Sequence, residues 1–183
     1  MINITFVDLE TTGLNPDKHE IIELAAIKTT IQDKKLVITN TAEFKVMPEY
    51  PVDPFVAKIN KYDEQEWYEA SNTTSLPVAL AGIFELMRDS WHAGSNPKFD
   101  EAFLKVAVNT FNWEYPRLAS YHLLDVSMMG FPLIIEGKVE KLKQEVLGKY
   151  YGIEGGGHRA MSDAMQCLKI FAKIHSLDIS FSN

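Results

Sequence analysis

A mixed β-sheet flanked by helices is the α/β fold predicted by this 183-residue sequence. Alternating and β-branched segments fill most of residues 2 to 46. Apolar residues at helical spacing begin near residue 76, and short apolar segments at 91–95 and 121–126 interrupt the helical stretches. Strands followed by alternating helix and strand imply one sheet with helices packed on it.

Residues 2 to 8, Ile-Asn-Ile-Thr-Phe-Val-Asp, alternate apolar with polar and turn apolar just before Asp8, as a strand entering a core does. Gly13, Asn15 and Pro16 mark a turn. Ile21 to Thr30 and Leu36 to Val46 are rich in β-branched residues and are separated by Asp33-Lys34-Lys35. They read as a hairpin and, with the first strand, as a three-stranded antiparallel meander. Ser75 is placed to cap a helix whose Leu76, Leu80, Ile83, Phe84 and Met87 share one face. Trp91 to Ser95 reads as a short strand. Asn96-Pro97 then sets a capping side chain before a proline at the first helical position. The helix that follows is expected to bury Phe99, Phe103, Val106 and Ala107. Tyr121 to Val126 reads as the last strand and Glu140 to Tyr151 as a helix. Residues 159 to 175 form a closing helix with Ala164, Cys167, Leu168, Phe171 and Ile174 on one face. The expectation is a five-stranded mixed sheet, the meander plus two parallel strands, in a single domain over residues 1–183.

Composition narrows the function classes. With 46% hydrophobic and 23% charged residues the chain has the makeup of a globular domain, which excludes intrinsic disorder. Cys167 is the one cysteine, so no disulfide forms within the chain, and a reducing compartment suits it. No apolar run approaches the ~20 residues that span a bilayer. Met1-Ile2-Asn3-Ile4 lacks the basic stretch of a signal peptide. A soluble cytoplasmic protein without membrane contact is expected. The net charge of −7 argues against electrostatic coating of nucleic acid. It leaves room for an enzyme that grips phosphates through divalent cations, because bound cations reverse the local sign.

The residues with chemical potential are few. Asp8 and Glu10 lie two apart near a strand end, so both carboxylates leave the same side. A divalent cation would neutralise their repulsion, and an exposed strand end would simply solvate them; the pair alone leaves both readings open. Asp100 falls in the first turn of its helix, where the macrodipole alone accounts for a carboxylate. His158 and Asp163 are five apart, about 140° around an ideal helix, so they would not share a helical face. Gly155, Gly156 and Gly157 place His158 in a loop and Asp163 in the first turns of the closing helix. The glycine triplet is no P-loop, since no Gly-Lys-Ser/Thr follows it.

Taken together these segments carry a family resemblance. Phe6-Val7-Asp8-Leu9-Glu10-Thr11-Thr12-Gly13-Leu14, with Ile21-Ile22-Glu23-Leu24-Ala25 downstream, resembles the first motif of the DEDDh exonucleases. That superfamily includes the proofreading subunit of bacterial replicative DNA polymerase. Asn96-Pro97-Lys98-Phe99-Asp100 with Phe103-Leu104 is similar to its second motif, and His158-Arg159-Ala160-Met161-Ser162-Asp163-Ala164 to its third. The three motifs run in the family's order from residue 6 to 164.

The resemblance implies a ribonuclease H-like fold and two-metal phosphodiester hydrolysis. Asp8 matches the carboxylate that bridges two Mg²⁺ ions, with Mn²⁺ as substitute. Glu10 and Asp163 match further ligands, and Asp100 the ligand of the second ion. His158 matches the general base, and a free imidazole titrates near ~6.5, suited to neutral pH. Thr11 and Thr12 correspond to contacts with the terminal 3′-hydroxyl and Leu14 to a contact with the last base, although Thr-Thr-Gly also serves simply to turn the chain. Lys98, Arg159, Tyr62, Trp67 and Tyr68 read as solvated charge or core and stay outside the site.

Two departures shape the reading. Ser95 stands where many relatives carry His before the second motif's Asn, and Thr11 where oligoribonucleases carry Met. Asp125, an extra acid at a strand end, is expected to be structural or to support the ligands. The implied activity is 3′→5′ exonucleolysis of single-stranded nucleic acid with a free 3′ end, DNA ahead of RNA, releasing nucleoside 5′-monophosphates. A DNA polymerase acting in trans is the implied protein partner. An exoribonuclease, a ribonuclease H-type endonuclease and an inactive nucleic-acid-binding module are the alternatives.

Overall fold

The computed structural model describes residues 1–182 and centres on β1 (Ile2–Thr11). β1 pairs antiparallel with β2 (Ile21–Gln32), and β2 antiparallel with β3 (Lys35–Lys45). Asp33 and Lys34 turn that hairpin with φ of 49° and 60°, the positive pair whose twist matches the flanking strands. The short helices α1 (Pro54–Ile59) and α2 (Glu64–Glu69) lead to α3 (Leu76–Met87). β4 (Trp91–Gly94) then enters the sheet parallel to β1 and runs into α4 (Pro97–Thr110). Beyond lie β5 (Leu124–Asp125), α5 (Val126–Met129), α6 (Phe131–Ile135), α7 (Gln144–Tyr151), α8 (Ala160–Ile174) and β6 (Asp178–Phe181). The strand order is β5-β4-β1-β2-β3-β6.

The period of two along β1 decides what each face receives. Val7 and Leu9 join a core with Leu80, Ile83 and Met87 of α3 and Phe103 and Leu104 of α4. Ile4 and Phe6 join a second core with Ala164, Cys167, Leu168 and Phe171 of α8. Asp8 and Glu10 continue the series of Ile4 and Phe6, so the acids at the end of β1 belong to the α8 side.

The mixed sheet, the meander and the parallel strands agree with expectation, but among the described residues the strands number six rather than five. β6 adds parallel to β3, with Leu36 opposite Ile179 and Ile38 opposite Phe181. Four residues after a long helix carry too short an alternation to be read locally. The expected strand at 121–126 shrinks to Leu124–Asp125, because the Asp125 carboxylate accepts from Met128 N–H and starts a helix there. The helix expected from Glu140 begins at Gln144. α1 and α2, for which nothing was expected, are capped by the side chains of Asp53 and Asp63. Ser75 and Asn96 occupy their cap positions without the expected side-chain hydrogen bonds. Asn96 is instead left-handed, with φ 60°, a conformation Asn tolerates. On α4 the buried apolar residues are Pro97, Phe103, Leu104, Ala107 and Val108, with Phe99 and Val106 only half-buried.

Candidate active site

The sheet brings residues from β1, α4, α8 and the loop before α8 to one place. β4 ends at Gly94 while β1 runs on, and there the N–H of Leu9 donates to Asp100 Oδ1 at 3.1 Å. This bond ties the first turn of α4 to the end of β1 and holds Asp100 buried beside the strand. On the α8 side, one ligand atom each from Glu10, His158 and Asp163 lie within 4.8 Å of one another. Asp8 borders a cleft of about 320 Å³ together with Ser95, His158 and Asp163. The five residues singled out from the sequence therefore converge, with Asp100 reaching the group from the opposite face of β1.

Burial and mutual repulsion dominate the electrostatics. Burial pushes Asp8 well above the carboxylate range, and Asp100, Asp163, Glu10 and Glu23 push it further. Glu10 is raised to about 8, first by burial and then by Asp163, Glu23 and Asp100. Burial raises Asp100 to about 7 against the opposing effect of backbone N–H groups, including that of Leu9. Asp163 is raised by burial and moderated by His158 and by the backbone N–H groups of Arg159 and His158. Crowded carboxylates whose mutual repulsion the nearby Arg159 and Lys61 only partly offset are suited to divalent ions, whose preferred ligands are such oxygens.

His158 lies in the expected loop, with φ 60° and its side chain exposed. The loop is nevertheless tied on both flanks. Gln166 Nε2 donates to Gly155 O at 2.9 Å, and Gly156 N–H to Ser162 Oγ at 3.1 Å. A Cβ at Gly156 would stand 2.7 Å from Gln166 Oε1 and 2.9 Å from Asp163 Oδ1, and its φ of 80° is one that favours glycine. Gln144 of α7 donates to Asp163 O at 2.8 Å, which brings that helix to the site as well.

On the far flank, Arg159 lies deeper than a solvated charge. Its Nε is 3.3 Å from both carboxylate oxygens of Glu23, its NH2 3.2 Å from Oε1, and Ala160 N–H donates to Oε2 at 3.1 Å. Its NH1 reaches Glu66 at 3.1 Å, and the guanidinium lies over the Trp67 ring, 5.1 Å from the centroid. Glu23 faces Glu10 directly across the β1–β2 ladder. Like charges so placed repel, and Arg159 supplies the compensating cation. Trp67 is fully buried and donates to Ile22 O at 2.8 Å.

Thr11 Oγ1 donates to Gly13 O at 2.7 Å, and Thr12 Oγ1 accepts from Glu20 N–H at 2.9 Å, so both hydroxyls serve the turn. Leu14 is 84% exposed and free to meet a ligand. Ser95 Oγ lies 2.7 Å from Ser127 Oγ. Asp125 accepts from Met128 N–H and Asn96 N–H, the structural role expected of it. Sequence reasoning gave no role to Glu23 or Gln166, whose partners lie on other elements, nor to Lys61, which reaches the loop from the α1–α2 turn.

The exonuclease family RNase_T matches residues 5–171. The PolC-type DNA polymerase III of Caldanaerobacter subterraneus subsp. tengcongensis is 29% identical over 168 residues, which cover 91% of this chain and 11% of that protein. The DNA polymerase III subunit epsilon of Aquifex aeolicus is 25% identical over 177 residues, covering 95% of this chain and 82% of its own length. Among solved structures, E. coli exonuclease I in complex with a dT13 oligonucleotide superposes with a TM-score of 0.74 at 20% identity, covering 94% of this chain and 41% of that one. That likeness concerns the fold.

Proposed function

The chain belongs to the exonuclease family, and from that premise we propose that it hydrolyses single-stranded nucleic acid from a free 3′ end, releasing nucleoside 5′-monophosphates. The observation that carries the proposal is the convergence of Glu10, His158 and Asp163 within 4.8 Å, beside Asp8 and Asp100. Each of the five family positions is filled, which favours a working enzyme over an inactive binding module.

Asp8, Glu10, Asp100 and Asp163 are the residues that would hold two Mg²⁺ ions, with Mn²⁺ as substitute. Their hard oxygen donors and their elevated pKa values fit such ions. When bound, divalent cations offset the carboxylate repulsion and stabilise charge on the attacking and leaving oxygens of an in-line displacement. His158 accepts the proton of the attacking water. Its place on an exposed loop, tied at Gly155 and Arg159, brings the imidazole to the mouth of the cleft. Asp100 holds the end of β1 in place through Leu9 N–H and so fixes where Asp8 and Glu10 stand. Leu14 packs against the terminal base, and the turn at Thr11 and Thr12 stands beside the 3′-hydroxyl.

DNA is favoured as substrate because the similar proteins include DNA polymerases and an exonuclease solved with dT13. A polymerase acting in trans is the partner suggested by the epsilon subunit, which this chain matches over most of its length. The deciding experiment incubates 5′-labelled single-stranded DNA and RNA of one sequence with Mg²⁺, Mn²⁺ or EDTA. A metal-dependent ladder shortening from the 3′ end, absent for Asp8→Ala, is expected, and the faster strand identifies the sugar. Cleavage of a circular strand would show an endonuclease instead. No degradation of either strand would leave the inactive module.

A further inference from the structure

We propose that Lys61 is a substrate-phosphate contact of this site, holding a backbone phosphate of the nucleic acid beside His158. The proposal rests on the exonuclease reading for its ligand, and on separate geometry for its place.

Lys61 occupies the turn between α1 and α2 with φ 54°, in the left-handed region. Both neighbours are anchored inward. Asn60 is buried and its Nδ2 donates to Thr11 O at 2.9 Å, one residue past Glu10. The Tyr62 ring packs edge-on against Trp67 with centroids 5.1 Å apart. The turn is thereby pinned to the end of β1, and the exposed Lys61 side chain reaches the glycine loop that borders the cleft. Its Nζ lies 3.1 Å from where a Cβ on Gly157 would stand, directly against the residue that precedes His158. Gly157, with φ 102°, places no side chain against the ammonium.

Most other cations near the site are engaged, although Lys98 on α4 is in no ion pair among the described residues. Arg159 is paired with Glu23 and Glu66, Lys45 with Glu66 and the face of Trp67, and Lys143 stands 3.8 Å from Glu145. Among the described residues Lys61 has no carboxylate within 4.0 Å and no hydrogen-bond acceptor for its ammonium, though its charge does help to moderate Asp163. Two divalent cations would cancel the four carboxylates and leave the incoming phosphodiester's charge unmatched. An unpaired ammonium beside Gly157 supplies that match, since lysine binds phosphate as a point charge.

The test measures binding of a labelled oligodeoxythymidylate in Ca²⁺ over a range of salt, and separately the steady-state cleavage kinetics in Mg²⁺. Lys61→Ala should weaken binding about tenfold and flatten the dependence of log K on log salt by about 0.7, the share of one phosphate contact on a single strand. Its KM should rise with little change in kcat, and Lys61→Arg should recover most of the affinity. Lys58→Ala, an exposed lysine on α1, serves as the control and should bind as the wild type does. An unchanged salt slope for Lys61→Ala overturns the proposal, as does an equal loss for Lys58→Ala. A fall in kcat with KM unchanged also overturns it, because Lys61 would then act through Asp163. If the wild type binds the strand without cleaving it, the exonuclease reading fails while the binding series still decides Lys61.

Discussion

Arg159 lays its guanidinium against both carboxylate oxygens of the fully buried Glu23, 136 residues away, in the position immediately after His158. The pair fixes the start of α8 against β2, because Ala160 N–H donates to the same carboxylate at 3.1 Å. His158 and Asp163 flank this clamp, and Arg159 N–H also donates to Asp163 Oδ2 at 3.3 Å.

Arg159→Ala should therefore cost stability and rate together. Removing one partner of a buried ion pair leaves the other charge uncompensated, a loss of about 3–5 kcal/mol for full burial. Arg159 is 29% exposed, so about 2–3 kcal/mol is expected, with kcat reduced. Arg159→Lys keeps the charge but not the forked contact, and should fall between. Urea unfolding and single-turnover cleavage check both. A variant with wild-type midpoint and rate would mean that the clamp positions nothing.

Metal-free protein should lose stability as pH rises through the titration of the carboxylates. Glu10 goes from an ordinary 4.5 to about 8 on folding, and Asp100 from 3.8 to about 7. A raised acid favours the folded state below its unfolded pKa, and that contribution fades as pH climbs from about 4 to about 8. In EDTA the Tm should fall across this range, and Mg²⁺ at pH 8 should restore it, since binding to the native state alone stabilises it. Asp8→Asn should raise the metal-free Tm at pH 8, abolish turnover and shrink the Mg²⁺ response. A Tm in EDTA that holds level from pH 5 to 8 would contradict the burial of these acids.

His158→Ala separates two roles, because the spacing of Glu10, His158 and Asp163 also suits an imidazole ligand. As general base, His158 should be worth about 10²–10⁴ in kcat, and the Mg²⁺-induced Tm shift should survive its loss. Loss of that shift along with the rate would identify His158 as a ligand.

Much of this site was legible locally. Asp8 and Glu10 end an alternating strand, and Asp163 and His158 bracket a helix start, so periodicity and glycine chemistry place them without tertiary information. Their union with Asp100 came through the motif resemblance. The clamp and Lys61 were hidden for a physical reason. Arg159 finds Glu23 only once β2 packs against α8, and Lys61 reaches Gly157 only because buried Asn60 pins a turn to β1. The same holds for β6, whose four residues become a strand because β3 offers them an edge. The helices α1 and α2 did carry a local signal, Asp53 before Pro54 and Asp63 three residues before Glu66.

His92 gives the fold an acid-sensitive point away from the candidate active site. It is fully buried on β4, and neither ring nitrogen has a hydrogen-bond partner among the described residues. Burial lowers its pKa from 6.5 to about 4, with Lys105 adding to the shift and Glu101 opposing it. A depressed histidine contributes nothing to the pH dependence of stability above 6.5, where both states are neutral. Below 6.5 the unfolded chain gains a proton that the folded protein refuses, so stability falls until about pH 4. The full effect is worth about 3 kcal/mol, or about 6–12 °C in Tm. The carboxylates slope the other way over part of this range, so the contribution is isolated by comparing wild type with His92→Phe, in EDTA, between pH 7 and 4.5. The variant should gain on the wild type as pH falls. Parallel Tm curves for the two proteins would show that the buried ring is not what makes the fold sensitive to acid.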